Sequence, residues 1–230
     1  MAAFFVTGSG TDIGKTWASA QLLRHWRGQG LQPAALKPVA TGYDPAKPED
    51  SDAAELLRAL GRPATAAEVE AICPIRFRAP LSPDQAAARE GARLSAWSIA
   101  QACRIEHAGG PLLIEGAGGV MAPLNERETM LDLAVALDLP VIFLAASYLG
   151  AISHALTGLA VLKAAGVSAP LVLVNETPGS TVNLTDTVAT LSAHLPDAAI
   201  LPIPRGGDGP VWPEASRILG ASSPSDGPWR

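Results

Sequence analysis

Six short apolar runs punctuate the chain, at 3–7 (AFFVT), 33–37 (PAALK), 111–115 (PLLIE), 140–145 (PVIFLA), 170–175 (PLVLVN) and 199–203 (AILPI). Between them lie helix-like stretches at 14–28, 51–60, 83–90, 94–107, 130–138, 150–165 and 183–194. Apolar strands alternating with helices predict an α/β fold, a mostly parallel sheet with helices on both faces. Several runs open at or just after proline, which suits the first residue of a strand. The polar, proline-rich TGYDPAKPED at 41–50 reads as a surface loop. With no internal repeat and no linker, a single domain is expected over residues 1–218, followed by a flexible tail at 219–230, where ASSPSDGPWR is disordered in composition.

Bulk composition narrows the classes. The chain has 230 residues, 48% hydrophobic and 17% charged, enough to bury one substantial core. A net charge of -5 gives no basic field for nucleic acid. Cys73 and Cys103 lack paired-motif spacing and read as reduced thiols of a cytoplasmic protein. No apolar run approaches the ~20 residues of a membrane span. Nor does the start carry a basic lead before a cleavage site, so neither a signal peptide nor a membrane partner is expected.

The chemistry begins where the first apolar run stops. In VTGSGTDIGKTW, Gly8, Gly10 and Gly14 precede a helix that opens near Lys15. Phosphate binding needs inward-pointing amides, a helix N-terminus behind them, and glycine wherever a side chain would block approach. Lys15 is placed to reach β- and γ-phosphate oxygens, and Thr16 to hold Mg2+ through its hydroxyl. Against G-x-x-x-x-G-K-[ST] the match fails by one insertion, because Gly8 stands one residue early and Ser9 takes its place. The dinucleotide pattern G-x-G-x-x-G fails too, since residue 13 is Ile13. The stretch reads as a P-loop with a long first half, in a P-loop NTPase-type sheet.

Three more charged residues draw notice, two of them at strand ends, where ligands bind in open α/β sheets. Glu115 closes PLLI and is followed by Gly116-Ala117-Gly118-Gly119, the position of a magnesium-organising acid. Lys37 ends the second apolar run. Two ammonium groups repel in an empty site, so Lys15 and Lys37 make sense around concentrated negative charge. Asp52, in EDSDAAELL, begins a helix, and there Ser51 or Asp50 would serve as N-cap equally well.

Taken in order, G-S-G-T-D-I-G-K-T, L-K-P-V-A-T-G, S-D-A, I-E-G-A-G-G, L-G-A-I-S-H and V-N resemble the dethiobiotin synthetases of the biotin pathway, over residues 4–206. The resemblance implies a ligase (a cyclo-ligase) that uses ATP and Mg2+ to join CO2 to 7,8-diaminopelargonic acid. One amine is carbamated, the carbamate oxygen attacks the γ-phosphate, and the second amine closes on the resulting carbamic–phosphoric anhydride. It also implies roles. Lys37 and Lys15 would be catalytic. Asp12, Ile13, Gly14, Lys15, Thr16 and Trp17 would bind ATP, with Asp52, Glu115, Gly116, Ala117 and Gly118, and on the adenine side Asn175, Glu176, Pro204, Arg205 and Gly206. Thr16, Asp52 and Glu115 would hold the metal. Thr41 would meet the diamine, while Gly150, Ala151, Ile152 and Ser153 would meet its carboxylate from the neighbouring subunit of a homodimer.

The chain departs from the family at Asp12, where Glu is common, at Ser153, where Asn is frequent, and in RGGDGPVW after residue 203, where Asp208 is a weak candidate acid. The remaining polar residues read blandly. Cys103 and His107 share a helix face without a third ligand, His25 and His194 are helix-surface residues, and Arg76 and Arg78 lie on a solvated strand edge. Trp17, Trp26 and Trp97 are expected to fill the core or an interface. Three rival functions fit the sequence less well. A cobyrinic-type amidase needs a glutaminase domain for which the chain is too short. A partitioning or septum-placing ATPase carries an early P-loop lysine where Gly10 stands. A small-molecule kinase has less need of Lys37.

Overall fold

The computed structural model describes residues 2–105, 109–206 and 210–221. Its main sheet has six strands, all parallel, in the order β2-β5-β1-β6-β7-β8. These are β1 (Ala3–Gly8), β2 (Ala34–Leu36), β5 (Leu112–Glu115), β6 (Val141–Ala146), β7 (Leu171–Asn175) and β8 (Ala199–Ile203). All six apolar runs therefore become strands, to within two residues at each end. Every residue of β6 is buried, and so are four of the five in β7, as expected for strands covered on both faces. A second, two-stranded parallel ribbon pairs β3 (Val39–Ala40) with β4 (Ile75–Arg76).

Nine helices are described: α1 (Lys15–Gly28), α2 (Asp52–Ala59), α3 (Ala66–Ile72), α4 (Pro83–Arg89), α5 (Ala96–Ala102), α6 (Met130–Leu137), α7 (Ala151–Ala164), α8 (Leu184–His194) and α9 (Val211–Ile218). Helices α3 and α9 were not among those expected from the sequence. Helix α3 is about two Ala/Glu-rich turns, capped by the Thr65 hydroxyl on the Glu68 amide at 3.3 Å, and it hides Val69 and Ile72. Helix α9 is pinned from afar, by the Trp26 indole N–H donating to Ser216 Oγ at 3.0 Å. Burial of a side chain as large as Trp26 contributes about 1.5–3 kcal/mol or more, enough to anchor a short helix with little propensity of its own. Helix α5 ends at Ala102 instead of running to 107, and His107, like Asp208, lies outside the described residues. Leu219 and Ala221, at the head of the expected tail, are buried against the core, and residues 222–230 lie outside the description.

The chain winds from β1 outward to β2 and β5 on one side and to β6, β7 and β8 on the other. Such a reversal opens a crevice at the carboxyl ends of the strands beside it. The loop after β1 sits there. Gly8 is obligatory for close approach, since a Cβ at that position would lie 2.3 Å from the Leu144 carbonyl oxygen of β6. The β3–β4 ribbon runs on past its strands through Phe77 N–H to Ala40 O (2.9 Å), Tyr43 N–H to Phe77 O (2.9 Å) and Gly42 N–H to Ala79 O (3.1 Å). It thereby brings two loops, Thr41–Tyr43 and Pro80–Pro83, to the rim of that crevice.

Candidate active site

The loop from Ser9 to Gly14 folds over the N-terminus of α1. Gly14 has φ +89°, and Asn175 at the end of β7 donates through Nδ2 to the Ile13 carbonyl at 3.1 Å. Asn175 thus braces the loop against the opposite half of the sheet. Asp12 adopts a left-handed conformation, φ 56°, and is exposed. Lys15 is buried, with its Nζ donating to the Gly10 carbonyl at 2.7 Å across the concavity.

Lys37 follows β2 and is only 3% exposed. Its ammonium donates to Glu115 Oε1 at 2.8 Å and to the Gly116 carbonyl at 3.2 Å, and it lies 3.0 Å from Asp52 Oδ2. Glu115 is fully buried and also accepts the Thr16 hydroxyl at 2.6 Å. The cap ambiguity at α2 is resolved by geometry: Ser51 Oγ accepts the Ala54 amide at 3.2 Å, which leaves the Asp52 carboxylate free to face Lys37.

The lysines divide the electrostatic load unequally. Burial lowers Lys15, and the nearby Lys37 charge lowers it further, so its ammonium is pushed down to about 8. Burial also disfavours the Lys37 ammonium, but Glu115 and Asp52 outweigh that and hold it above the ordinary lysine value. Burial raises Asp52, but Lys37, Thr16 and Lys15 together outweigh that and hold it below the usual carboxylate range.

The donors at this point suit a hard divalent cation. Thr16, Asp52 and Glu115 offer only oxygen, and Glu115 Oε2 is buried without a hydrogen-bond partner. Among the described residues no group of three or more His, Cys, Asp or Glu gathers anywhere. A site with few protein ligands fits Mg2+, which keeps waters and phosphate oxygens in its shell.

A cavity of about 820 Å³ opens over these groups. Of the expected site residues, Asp12, Gly14, Lys15, Thr16, Trp17, Lys37, Thr41, Asp52, Ala117 and Gly118 line it. Glu115 and Gly116 lie beneath, bonded to Lys37. Trp17 walls the cavity and packs edge-on to Trp212 of α9, with centroids 5.8 Å apart. Trp26 is a core residue, as expected, whereas Trp97 is 67% exposed and is not. Arg76 is no free edge residue either: its guanidinium stacks 5.4 Å from the Tyr43 ring centroid.

Two expected groups stand apart from this cavity. Glu176 accepts the Arg205 amide through Oε2 at 2.7 Å and donates its own amide to Ile203 O, which groups Asn175, Glu176 and Pro204–Gly206 at the ends of β7 and β8. Gly150, Ala151, Ile152 and Ser153 open α7 and contribute nothing to the cavity lining, while Leu149 beside them is 90% exposed. Sequence reading missed the ribbon wall: Tyr43, Pro80, Leu81, Ser82 and Pro83 line the cavity, as does Thr11 of the P-loop. The helix over 83–90 was expected, but nothing local ties its start to residue 37.

Residues 2–206 match a family model described as an AAA domain. The ATP-dependent dethiobiotin synthetase BioD of Caulobacter vibrioides is 46% identical over 90% of this chain and 94% of its own length. That of Acidiphilium cryptum is 44% identical over 85% and 89%. Two solved structures share the fold alone: MinD in the MinC:MinD cell division complex of Aquifex aeolicus (TM-score 0.52, 12% identity, 95% of this chain and 86% of that one) and MinD complexed with Mg-ADP from Pyrococcus horikoshii (0.51, 16%, 96% and 86%). Relatives that cover 85–90% of the chain at 44–46% identity, with a family model matched over residues 2–206, lead to one conclusion: the chain belongs to the dethiobiotin synthetase family.

Proposed function

We propose that the protein is a ligase that closes the ureido ring of dethiobiotin from 7,8-diaminopelargonic acid, CO2 and ATP. The observation that carries this reading is the pair of buried lysines, Lys15 and Lys37, at one cavity. A carbamate and a triphosphate are both anions, and their reaction requires cationic groups fixed in place beforehand. Lys15, at the head of α1, would take the β- and γ-phosphate oxygens, with the helix amides behind it. Lys37 would stabilise the carbamate and the phosphoryl group in transfer, after which the second amine expels phosphate and closes the ring.

Thr16, Asp52 and Glu115 would hold Mg2+, which when bound neutralises phosphate charge. Thr41 would contact the diamine. Asn175, Glu176 and the Pro204–Gly206 segment would receive adenine, a placement supported by the bond from Asn175 to the Ile13 carbonyl. The Gly150–Ser153 turn would serve a neighbouring subunit's site. Its support is an exposed Leu149 and a helix start that does not touch its own cavity, so the protein would be a homodimer of a cytoplasmic pathway. No helix among the described residues is long and apolar enough to cross a membrane. Purified protein given diaminopelargonate, bicarbonate and Mg·ATP should yield dethiobiotin, ADP and phosphate. ATP hydrolysis without dethiobiotin would overturn the assignment. Light scattering that shows a monomer at assay concentration would overturn the dimer.

A further inference from the structure

Where β7 leaves the sheet, side chains take over from the strand ladder. The register between β6 and β7 ends at Ala146 and Asn175. Just beyond, Ser147 Oγ accepts the Thr177 amide at 3.0 Å, and the Ser147 amide donates to Thr177 Oγ1 at 3.2 Å. Ser147 is fully buried, so losing the Thr177 hydroxyl would leave a buried amide unpaired. On the other flank Glu176 donates its amide to Ile203 O at 3.0 Å and accepts the Arg205 amide at 2.7 Å. The chain then reverses over Pro178 and Gly179, with Gly179 at φ +72° and Ser180 N–H on Thr177 O at 3.2 Å. The Ser147–Thr177 clamp therefore holds β7 at the point where it turns away.

Two residues before that turn stands Asn175, whose side-chain amide has a fixed sense. Its Nδ2 donates to the Ile13 carbonyl at 3.1 Å, and a flipped amide would set two oxygens against each other. Among the described residues it makes no other side-chain hydrogen bond, which leaves Oδ1 to accept and the second N–H to donate. Adenine presents an amino donor beside the N7 acceptor and pairs with such an amide, whereas guanine presents two acceptors there. The fit is tight, since a Cβ on Gly14 would lie 2.2 Å from Asn175 Nδ2. The phosphate loop has ties of its own, from Ser9 N–H to Leu144 O and from Val120 N–H to Gly8 O, both at 2.9 Å.

We infer that Ser147 and Thr177 are positioning residues that set the base selectivity of the nucleotide site, adenine over guanine, by fixing where Asn175 stands. This rests on the reading of Asn175 as the adenine contact. Neither hydroxyl lines the cavity; each acts through the main chain at the end of β7.

The test is direct titration of the full-length protein, in Mg2+, with ATP, GTP and inorganic tripolyphosphate, the last reporting on the phosphate loop alone. Thr177→Val keeps the shape and loses the acceptor. It should cut the preference for ATP over GTP about tenfold, with tripolyphosphate affinity within about twofold of wild type. Ser147→Ala, which removes the other half of the clamp, should do the same. Thr177→Ser retains the hydroxyl and should retain the preference. If Thr177→Val and Ser147→Ala leave the preference intact, or if Thr177→Ser loses it as Thr177→Val does, the inference is wrong. Equal weakening of all three ligands with a fall in melting temperature would also overturn it, since the clamp would then merely support the strand. A wild-type protein that binds ATP and GTP equally would instead defeat the reading of Asn175 itself.

Discussion

Lys37 donates to Glu115 Oε1 at 2.8 Å in a setting where Glu115 is fully buried and Lys37 nearly so. A buried pair of this kind stabilises a fold weakly, because desolvation of both charges offsets their attraction. Apolar residues of like volume would hold β2 to β5 at least as well. Its presence therefore points to chemistry rather than to stability. The pair keeps a full positive charge in a dry place, and Asp52, 3.0 Å away on its other side, adds a second anchor.

Replacing Lys37 by Met keeps the bulk and removes the charge. We expect kcat to fall about 10²–10³-fold or more, the scale for deleting one preorganised transition-state donor. The KM for ATP should change by less than about threefold, because Lys15 and the loop amides remain. Losses of equal size in kcat and in ATP affinity, measured by direct nucleotide titration, would count against a transition-state role.

Ser51 and Asp52 are adjacent but divide the work, and paired substitutions separate them. Ser51→Ala should cost about 1 kcal/mol of stability through the lost cap on the Ala54 amide, with little change in turnover. Asp52→Asn should lower the melting temperature modestly, since Lys37 loses one of its two carboxylate partners, yet raise the Mg2+ concentration needed for half-maximal rate about tenfold or more. A Mg2+ requirement that moves with Ser51→Ala and not with Asp52→Asn would count against Asp52 as a metal ligand.

Gly14→Ala should abolish nucleotide binding while leaving the sheet folded. The added Cβ would lie 2.2 Å from Asn175 Nδ2, at a φ of +89° that itself costs an L-residue about 1–2 kcal/mol. Titration with ATP, alongside far-UV circular dichroism, checks both halves of this expectation.

How far these residues could be read beforehand depends on whether their signal is local. The six strands and the P-loop are continuous in sequence, so apolar runs and the Gly8-to-Thr16 spacing disclosed them. At Asp52 the sequence offered two capping candidates beside it, and only the Ser51 bond to the Ala54 amide and the 3.0 Å approach of Lys37 separate the cap from the residue that faces Lys37. Ser82 and Tyr43 reach the cavity because a ribbon of two-residue strands pairs Val39 with Ile75 and Ala40 with Arg76. Strands that short leave no periodicity. Helix α9 depends on the Trp26–Ser216 bond, formed across 190 residues, and its own composition of Trp, Pro and Ser hides it.

Lys15 makes the last prediction, and its sign follows from burial. An ordinary lysine titrates near 10.5, but burial, with Lys37 second, pushes this one down to about 8 in the nucleotide-free protein. Between about pH 8 and 10.5 the unfolded chain then binds more protons than the folded one, so Lys15 contributes stability that grows as pH rises through this window. The contribution is complete above 10.5 and lost as pH falls through about 8, with a span of about 3 kcal/mol at one pKa unit per 1.36 kcal/mol. Lys37 carries the opposite sign, its stabilisation being fully present below 10.5 and lost only above its raised value. A triphosphate needs Lys15 charged, so ATP affinity should be flat below about pH 8 and fall above it, towards tenfold per unit. Lys15→Arg, which stays protonated across the range, should remove that fall, and Lys15→Met should remove both the fall and the alkaline gain in urea midpoint. An ATP affinity that stays level to pH 10 in the wild type would mean that Lys15 holds its proton without help from the nucleotide, and that burial at Gly10 does not govern this site.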